Sequence, residues 1–501
     1  MTSRRILAPL LGFCAVVMTV LSILVPGLQP IVLALTIVAV VAAITRLRFL
    51  ALVVSAMWAT SLVHLLKRAI FLVADYPSWA YYGVQAIPSV LLILALAVGM
   101  RRRRAWPAST YALAVFALLT VSETIIAPSL TALARFSAIH DHLVPMVGFL
   151  VGVLVAATHH ERTVLRTLLW ISCVSVPYGV FQFVVGPTTL DTRWAQATAS
   201  YSIEAQKVLA SIQHTSGADW RAYSFYADPL TWGLLLMAGL AATAALRSRD
   251  SRRVDYKLAI ATLLIGLFVS LTRTPWIGVI SMIAFAALIR FRVLRRRGAM
   301  MFALTALFGV VIVGGTYLYN NVFPSLRTGS SNVALNRYLT LGTAEARIGA
   351  VSKLAEAARE QPALGKGYAY TYYYADRLGA QSGAIGDVGG HDFLVDTTVA
   401  TGVPGSLTLL AFLALVIGEG LAAYRRGVDR RVALWLTAFA AGSIVTGFLN
   451  ASNFLNTYFF ILVGVLAALG SVAKPTAAPA KRDSSTSPLI ASTPSFGHGT
   501  L

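Results

Sequence analysis

Charged residues are scarce in this sequence, and acidic residues are the scarcest. Only 12% of the 501 residues are Asp, Glu, Lys or Arg, whereas an ordinary soluble domain carries about a quarter. Hydrophobic residues make up 57% of the chain and cluster in runs of roughly 17–25, the length that crosses a bilayer as a helix. This composition excludes an ordinary soluble protein and predicts an all-α polytopic membrane protein.

Cysteine is nearly absent, and so are the motifs of many enzyme classes. Cys14 and Cys173 both fall inside predicted spans, so we expect neither a disulfide nor a metal site from them. The sequence shows no Walker loop, no His-Glu-x-x-His and no Cys/His cluster. The predicted outer loops also lack an Asp-x-Asp pair, so we predict no bound metal and no cofactor.

The apolar runs predict about 12–14 transmembrane helices. They fall at about 6–25, 28–45, 49–66, 84–100, 107–127, 143–158, 164–186, 229–246, 257–272, 275–290, 299–319, 402–422, 432–448 and 455–472. The pair at 257–272 and 275–290 is joined by a tight turn, and is either two short or tilted spans or a re-entrant hairpin. The predicted organisation is N-terminal helices (1–186), a first large outer loop (187–228), central helices (229–319), a second large outer loop (320–401), C-terminal helices (402–472) and a disordered tail (473–501).

The excess of basic residues indicates orientation in the membrane. The net charge of +21 could suggest a nucleic-acid partner, but the arginines flank apolar runs in every second loop. The basic loops are those near 46–48, 101–104, 162–166, 247–257, 290–297 and 425–431. The positive-inside rule places them in the cytoplasm. Both termini are then cytoplasmic, the two large loops are outside, and membrane lipids rather than nucleic acid are the expected contacts.

Two arginines in or beside the outer loops precede predicted helix starts. In the stretch 221–229, Asp228 is the predicted N-cap and Pro229 the first helical residue, with Arg221 just upstream. Arg273 lies between two apolar spans, where a charge is expensive, and Thr274-Pro275 is again predicted to be a cap and a first helical residue. The alternative is an interfacial Arg221 bound to lipid phosphate and a snorkelling Arg273.

A histidine ends the second large loop, in the stretch 389–396. His391 can act as a general base, because its unperturbed pKa lies near neutrality, and Asp387, Asp392 or Asp396 could orient it. A merely hydrogen-bonded histidine is the alternative. Charge counting puts His391 on the same face as both arginines. Guanidinium groups and helix N-termini bind phosphate, so a base beside them predicts transfer of a group away from a diphosphate.

Two further parts of the second loop suit such a site. The stretch Arg347–Glu360 is amphipathic and is predicted to lie on the membrane surface as a lid. Tyr368 begins a run of tyrosines that could stack on sugar rings, although an interfacial aromatic belt is the likelier role. Asp228, Asp392, Arg347 and Tyr368 are therefore candidate substrate-binding residues.

At these residues the chain resembles the O-antigen ligase and O-antigen polymerase family of membrane glycosyltransferases, a GT-C-like architecture. The resembling motifs are His391-Asp392 with Gly402-Val403-Pro404-Gly405, the stretch 221–229 with Ser224 where glycine is common, Thr272-Arg273, and the stretch 347–367 ending in Pro-x-x-Gly-x-Gly. The resemblance covers roughly residues 215–420. Asp392 departs from the usual Asn.

The resemblance implies a reaction and its participants. It implies metal-independent transfer of a glycan from a polyprenyl diphosphate, such as undecaprenyl diphosphate, to a hydroxyl of a glycan, lipid or protein acceptor at the outer face of a bacterial plasma membrane. His391 would be the base, and Arg221 and Arg273 would hold the diphosphate. Polymerases and ligases share these motifs. The main alternative is a polytopic transporter or a lipid-linked glycan flippase, although no inverted repeat of broken helices is evident.

Overall fold

The computed structural model describes residues 47–71, 78–101, 106–126, 132–198, 221–226, 228–247, 256–291, 362–368, 393–449 and 456–471, with a few isolated positions besides. The predicted spans at 6–25, 28–45 and 299–319 lie outside these residues. The same holds for Arg347 and most of its lid, for His391, for Asp392 and for the tail.

The described residues form helices joined by turns and short irregular segments. The helices are α1 (Phe49–Phe71), α2 (Ser78–Met100), α3 (Ala108–Ile126), α4 (Ala132–Ala157), α5 (Glu161–Val185), α6 (Thr189–Thr198), α7 (Pro229–Leu246), α8 (Tyr256–Val269), α9 (Arg273–Arg290), α10 (Phe393–Arg426), α11 (Arg430–Leu449) and α12 (Thr457–Ser471). Within the described ranges, nine of them are long and apolar enough to cross a membrane. The predicted fold class, an all-α polytopic membrane protein, is confirmed.

Helices α8 and α12 are shorter than the other apolar helices. They contain 14 and 15 residues, about 21–23 Å at 1.5 Å per residue, against a hydrocarbon thickness of about 30 Å. Helix α9, at 18 residues, is long enough to cross on its own. The predicted pair at 257–272 and 275–290 is therefore two separate helices of unequal length.

Close packing between helices depends on small residues. Helices α4 and α12 run parallel, and a Cβ added at Gly152 or Gly464 would meet the backbone of the facing helix at Ile461 or Phe149. Gly148, one turn before Gly152, also faces the α12 backbone. In a bilayer, where apolar burial favours no particular helix pair, such glycine contacts let backbones approach and are a main source of association.

One end of the bundle, here called the Arg221 end, is where α5 finishes and α7 and α9 begin. Helix α7 runs antiparallel to α5, with Gly179 against the ring of Trp232. Helix α9 runs parallel to α7, and Gly233 lies against Pro275 in the first turn of α9. The starts of α7 and α9 are neighbours at this end.

The opposite end carries many basic residues and a cap for α3. The carboxylate of Glu419, on α10, accepts hydrogen bonds from the Ser109 N–H (3.2 Å) and the Ser109 hydroxyl (2.6 Å). It thereby satisfies one of the unpaired N–H groups at the start of a helix. Basic residues described at this end include Arg162, Arg166, Arg247, Lys257, Arg290, Arg425, Arg426, Arg430 and Arg431.

Candidate active site

Residues 221–226 form a buried turn that leads from Arg221 towards α7. The Tyr226 N–H donates to the Tyr223 carbonyl (3.0 Å), and Ser224, at the first central position, has a φ of +54°. Such a left-handed position favours glycine, which explains why glycine is common there in the resembling motif. Ser224 offsets part of the strain, because its hydroxyl donates to the Ser175 carbonyl at 2.5 Å.

Side chains from two helices hold the backbone of this turn. Arg68, near the end of α1, donates to the carbonyls of Ser224 (3.2 Å) and Tyr226 (2.7 Å). Gln182, near the end of α5, accepts from the N–H groups of Tyr223 (3.2 Å) and Ser224 (2.7 Å). Donors and acceptors of the turn are thus both satisfied from outside it, as buried backbone groups require.

Asp191 completes this network from the first turn of α6. Its carboxylate lies 3.0 Å from the Arg68 guanidinium, and both side chains are fully buried. The same carboxylate accepts from the Gln182 amide (3.1 Å) and from the N–H and hydroxyl of Thr188. The Asp191 N–H in turn donates to the Thr188 hydroxyl (3.1 Å), a reciprocal helix cap that fixes the carboxylate. The Trp194 ring lies 5.4 Å from the guanidinium carbon.

A second anchor connects the turn to the start of α12. The Tyr226 hydroxyl lies 2.6 Å from the Ser61 hydroxyl, which also shares a hydrogen bond with Tyr458. The Tyr458 hydroxyl donates to the Met57 carbonyl. Burial raises the pKa of Tyr226 above its ordinary value, with the Ser61 and Tyr458 hydrogen bonds partly offsetting the shift, so the phenol stays neutral at physiological pH.

The start of α7 agrees with the sequence prediction. Asp228 is the N-cap and Pro229 the first helical residue. The Thr231 N–H and hydroxyl donate to the two carboxylate oxygens of Asp228 at 2.8 and 2.7 Å. The predicted cap is confirmed, and the substrate-binding role of Asp228 stays a prediction. Arg221 is half-buried and lies eight residues before Pro229, in the turn that precedes α7.

The start of α9 differs from the prediction. The helix begins at Arg273, with Thr272 rather than Thr274 at the N-cap position, and Pro275 lies at the third helical residue. Proline is tolerated there because the first-turn N–H groups have no partner within the helix. The turn before Arg273 contains Leu271 at φ +47° and a 2.8 Å hydrogen bond between the Ser270 and Thr272 hydroxyls. Arg273 is thus the first residue of a helix at the Arg221 end, and it is half-buried.

Helix α10 is kinked at Gly402, and the segment 362–368 docks on the kink. Gly402 has φ +67°, ψ −177° inside the helix. Pro404 has no N–H to offer the Ala400 carbonyl, and that carbonyl accepts instead from the Gly367 N–H at 2.9 Å. The Lys366 N–H donates to the Val399 carbonyl at 2.8 Å. Two motifs of the resemblance, far apart in sequence, are therefore hydrogen-bonded to each other.

The start of α10 differs from the predicted end of the second large loop. The second large loop was expected to run to residue 401, but α10 begins at Phe393. The Phe393 ring packs on Phe448 of α11 at 4.8 Å, edge to face. Thr446 of α11 in turn faces Gly278 of α9. Helix α10 therefore begins at the same end as α9.

Tyr368 is buried beside this kink rather than presented to solvent. Its ring lies 3.6 Å from that of His142 on α4, and its hydroxyl lies 3.1 Å from the Thr397 hydroxyl. The Glu123 carboxylate on α3 lies near the backbone of Gly365 in the same segment. In this arrangement Tyr368 fixes the end of the segment against α4 and α10, and its binding of substrate stays a prediction.

Three residues that hold the Arg221 turn were missed at the sequence level: Arg68, Gln182 and Asp191. Arg68 had a signal, because it is a charge at the end of an apolar run that the charge pattern predicts to lie outside. Asp191 had another, since Thr188-Thr189-Leu190-Asp191 matches a helix-capping pattern. Gln182 carried none. The contacts of Arg68 with the turn join positions more than 150 residues apart, and those of Gln182 with the turn join positions about 40 residues apart. No local pattern reports either.

One known family matches part of the chain. Residues 258–410 match the family described as O-antigen ligase. No curated protein of the comparison set matches the chain.

The matched segment runs from α8 through the kink of α10. It includes Arg273, the segment 362–368, Phe393 and Gly402, and it also covers His391, outside the described residues. The Arg221 turn and the network around it lie before the matched residues. The matched segment contacts the preceding helices where α7 packs against α9, from Gly233–Pro275 at the helix starts to Met237–Gly278 further along.

Proposed function

We propose that this membrane protein is a glycosyltransferase that moves a glycan from a polyprenyl diphosphate to an acceptor hydroxyl. The observation that carries the proposal is that two neighbouring helices have half-buried arginines near their starts, Arg273 as the first residue of α9 and Arg221 in the turn before α7. Arg221 precedes α7 and Arg273 opens α9, and Thr272 and Pro275 pack on Gly233 of α7. Guanidinium groups beside helix N-termini suit a diphosphate, which takes bidentate hydrogen bonds.

In the proposed reaction the acceptor oxygen bonds to the anomeric carbon of the donor sugar. The bond from that carbon to the diphosphate breaks, and the diphosphate leaves with the electron pair, its growing charge neutralised by Arg221 and Arg273. The proton of the acceptor passes to His391, which the sequence places just before α10 and which Asp392 would orient. In this scheme the guanidinium groups replace a metal ion, so transfer proceeds without one.

We further propose that the Arg221 end faces outside, with both termini in the cytoplasm of a bacterial cell. The concentration of basic residues at the opposite end supports this orientation. Cysteines introduced at Ser216 and Ser382, in a chain whose Cys14 and Cys173 are replaced by Ser, should react with an impermeant reagent in intact cells. A cysteine at Ser248 should react only after lysis. The reverse pattern would place the arginines inside and contradict the proposal.

Reconstitution tests the reaction itself. The purified full chain in detergent, given a polyprenyl-diphosphate glycan and an acceptor extracted from the producing membrane, should form a glycan bond in excess EDTA. Arg273→Ala and Arg221→Ala should each reduce transfer by about 30-fold or more, because a lost charge-assisted contact costs on the order of 2–5 kcal/mol. Arg273→Lys should rescue poorly, since lysine lacks the planar fork. Arg193→Ala, which removes an exposed arginine from α6, is the matched control.

The base is tested separately. His391→Ala should fold normally and lose about 10²–10⁴ in rate, and His391→Gln should not restore it. A transporter would form no glycan bond with any residue at 391. Absence of product from wild-type protein with an authentic donor and acceptor would therefore refute the enzyme, and near-normal transfer by both arginine-to-alanine variants would refute the site.

A further inference from the structure

A fully buried ion pair lies behind the Arg221 turn and plays no part in the proposed transfer step. Arg68 and Asp191 are 0% exposed and 3.0 Å apart. Taking two charges out of water costs several kcal/mol per ion, and well-packed apolar residues are often at least as stabilising as a buried pair. Stability alone is therefore a weak reason for this pair.

The contacts of Arg68 indicate a more specific role. Its two terminal nitrogens reach different partners, because Nη1 contacts Asp191 and the Ser224 carbonyl while Nη2 donates to the Tyr226 carbonyl. The planar guanidinium thereby fixes two carbonyls of one turn relative to α6. A lysine has one nitrogen and could not hold both carbonyls in this way.

The turn so held contains the one strained residue between Arg221 and α7 in the described part of this stretch, Ser224 at φ +54°. A strained backbone position persists only when its surroundings over-determine it. Gln182 holds the N–H side of the turn and also donates to Asp191, so charge pair and amide form one rigid support. Arg221 is the first residue of the turn that Arg68 and Gln182 hold, so these contacts also restrict the position of Arg221.

We propose that the Arg68–Asp191 pair is a positioning device that sets Arg221 for diphosphate binding. The inference rests on the proposed function of Arg221. Bidentate recognition of phosphate depends on orientation, and a displacement of about 1 Å at a reacting site costs on the order of 100-fold. Neither Arg68 nor Asp191 touches the ligand in this proposal.

Binding of glycan-free undecaprenyl diphosphate to the purified full chain, measured by native mass spectrometry, tests the proposal. Asp191→Asn keeps the side-chain size and one oxygen that can accept from Thr188 while removing the charge, and should weaken binding by about ten- to hundredfold. Arg221→Ala should weaken binding as well. The double variant should bind no more weakly than Arg221→Ala alone, since a positioning residue acts only through the residue it positions.

A matched control breaks another Arg–Asp pair. Arg162 and Asp429 also lie 3.0 Å apart, at the opposite end and with Arg162 exposed, so Asp429→Asn should leave the dissociation constant unchanged. Arg68→Lys keeps the buried charge and covers the case in which Asp191→Asn does not fold. Its elution volume in size-exclusion chromatography and its melting temperature should be close to those of the wild type, yet it should bind undecaprenyl diphosphate several-fold more weakly.

The outcomes distinguish the positioning role of the Arg68–Asp191 pair from the diphosphate-binding role of Arg221. A folded Asp191→Asn protein that binds as the wild type does, or one whose loss multiplies with that of Arg221→Ala, overturns the positioning role. Failure of both Asp191→Asn and Arg68→Lys to fold overturns it too, because the pair then serves folding alone. Normal binding by Arg221→Ala refutes the diphosphate role of Arg221 itself, and with it the proposed function.

Discussion

Replacement of Gly365 by alanine tests whether docking of the segment 362–368 on the α10 kink supports the site. A methyl group at this position would meet the carbonyl of Ala400 and the nitrogen of Thr401, both of them backbone atoms that cannot rotate away. The segment must then move off the kink. The hydrogen bonds from Lys366 and Gly367 to α10, at 2.8 and 2.9 Å, are the contacts that would open.

The cost can be worked from these two bonds. The Ala400 carbonyl has no alternative donor within its helix, because Pro404 lacks an N–H, and a buried acceptor left unsatisfied costs about 1–3 kcal/mol. The Val399 carbonyl would lose a bond of net worth about 0.5–1.5 kcal/mol. Together these give a destabilisation of about 2–4 kcal/mol, concentrated at the junction between Tyr368 and α10.

The assay compares two glycine-to-alanine changes in detergent-purified protein. Gly365→Ala should lower the midpoint of thermal aggregation and reduce glycan transfer. Gly418→Ala is the matched control, because a Cβ at this exposed position of α10 meets nothing within 4 Å and alanine favours a helix over glycine by about 1 kcal/mol. It should melt at or above the wild-type temperature. If Gly365→Ala were indistinguishable from Gly418→Ala in both readouts, the docking argument would be wrong.

Three further changes probe other contacts by thermal stability. Ser224→Gly should melt near the wild type, since relief of a left-handed residue, roughly 1–2 kcal/mol, offsets the lost bond to Ser175; Ser224→Ala should melt lower, and the reverse order would contradict the strain. Glu419→Ala should lower the midpoint by uncapping α3 at Ser109, a loss of about 0.5–2 kcal/mol, and Glu419→Gln should lower it less. Gly464→Leu should yield little monodisperse protein, because its side chain would push into the α4 backbone; normal yield would argue against that packing.

The sequence predicted those features that depend on local signals. Apolar run length predicted the helices, and Asp228-Pro229 marked the start of α7 because capping chemistry is contained in neighbouring residues. The same reasoning failed at Arg273, because a proline fits anywhere in the first helical turn and does not specify which residue opens the helix. It also missed the early start of α10. A glycine and a proline close together were interpreted as a helix boundary at Gly402, whereas the helix continues through a kink there.

The supports of the candidate site could not be predicted in this way. The pairing of Arg68 with Asp191 and the docking of Gly367 on Ala400 are long-range contacts, decided by how helices pack rather than by spacing along the chain. The arginines could be selected as candidates, because a charge beside an apolar run is visible in the sequence, and their role in the site stays a prediction. His391 and Asp392, outside the described residues, remain predictions.

The position of α12 has a consequence for how the protein is made. Every residue from Tyr458 to Gly470 is buried, and Tyr458 reaches back to Ser61 and, through it, to Tyr226. The last described helix to leave the ribosome is therefore part of the support for a turn synthesised more than 200 residues earlier. Before α12 enters the membrane, the Arg221 turn therefore lacks the anchor that Tyr458 provides through Ser61. Under the proposed function, we expect a chain that ends before α12 to bind a lipid-linked donor more weakly than the full chain does.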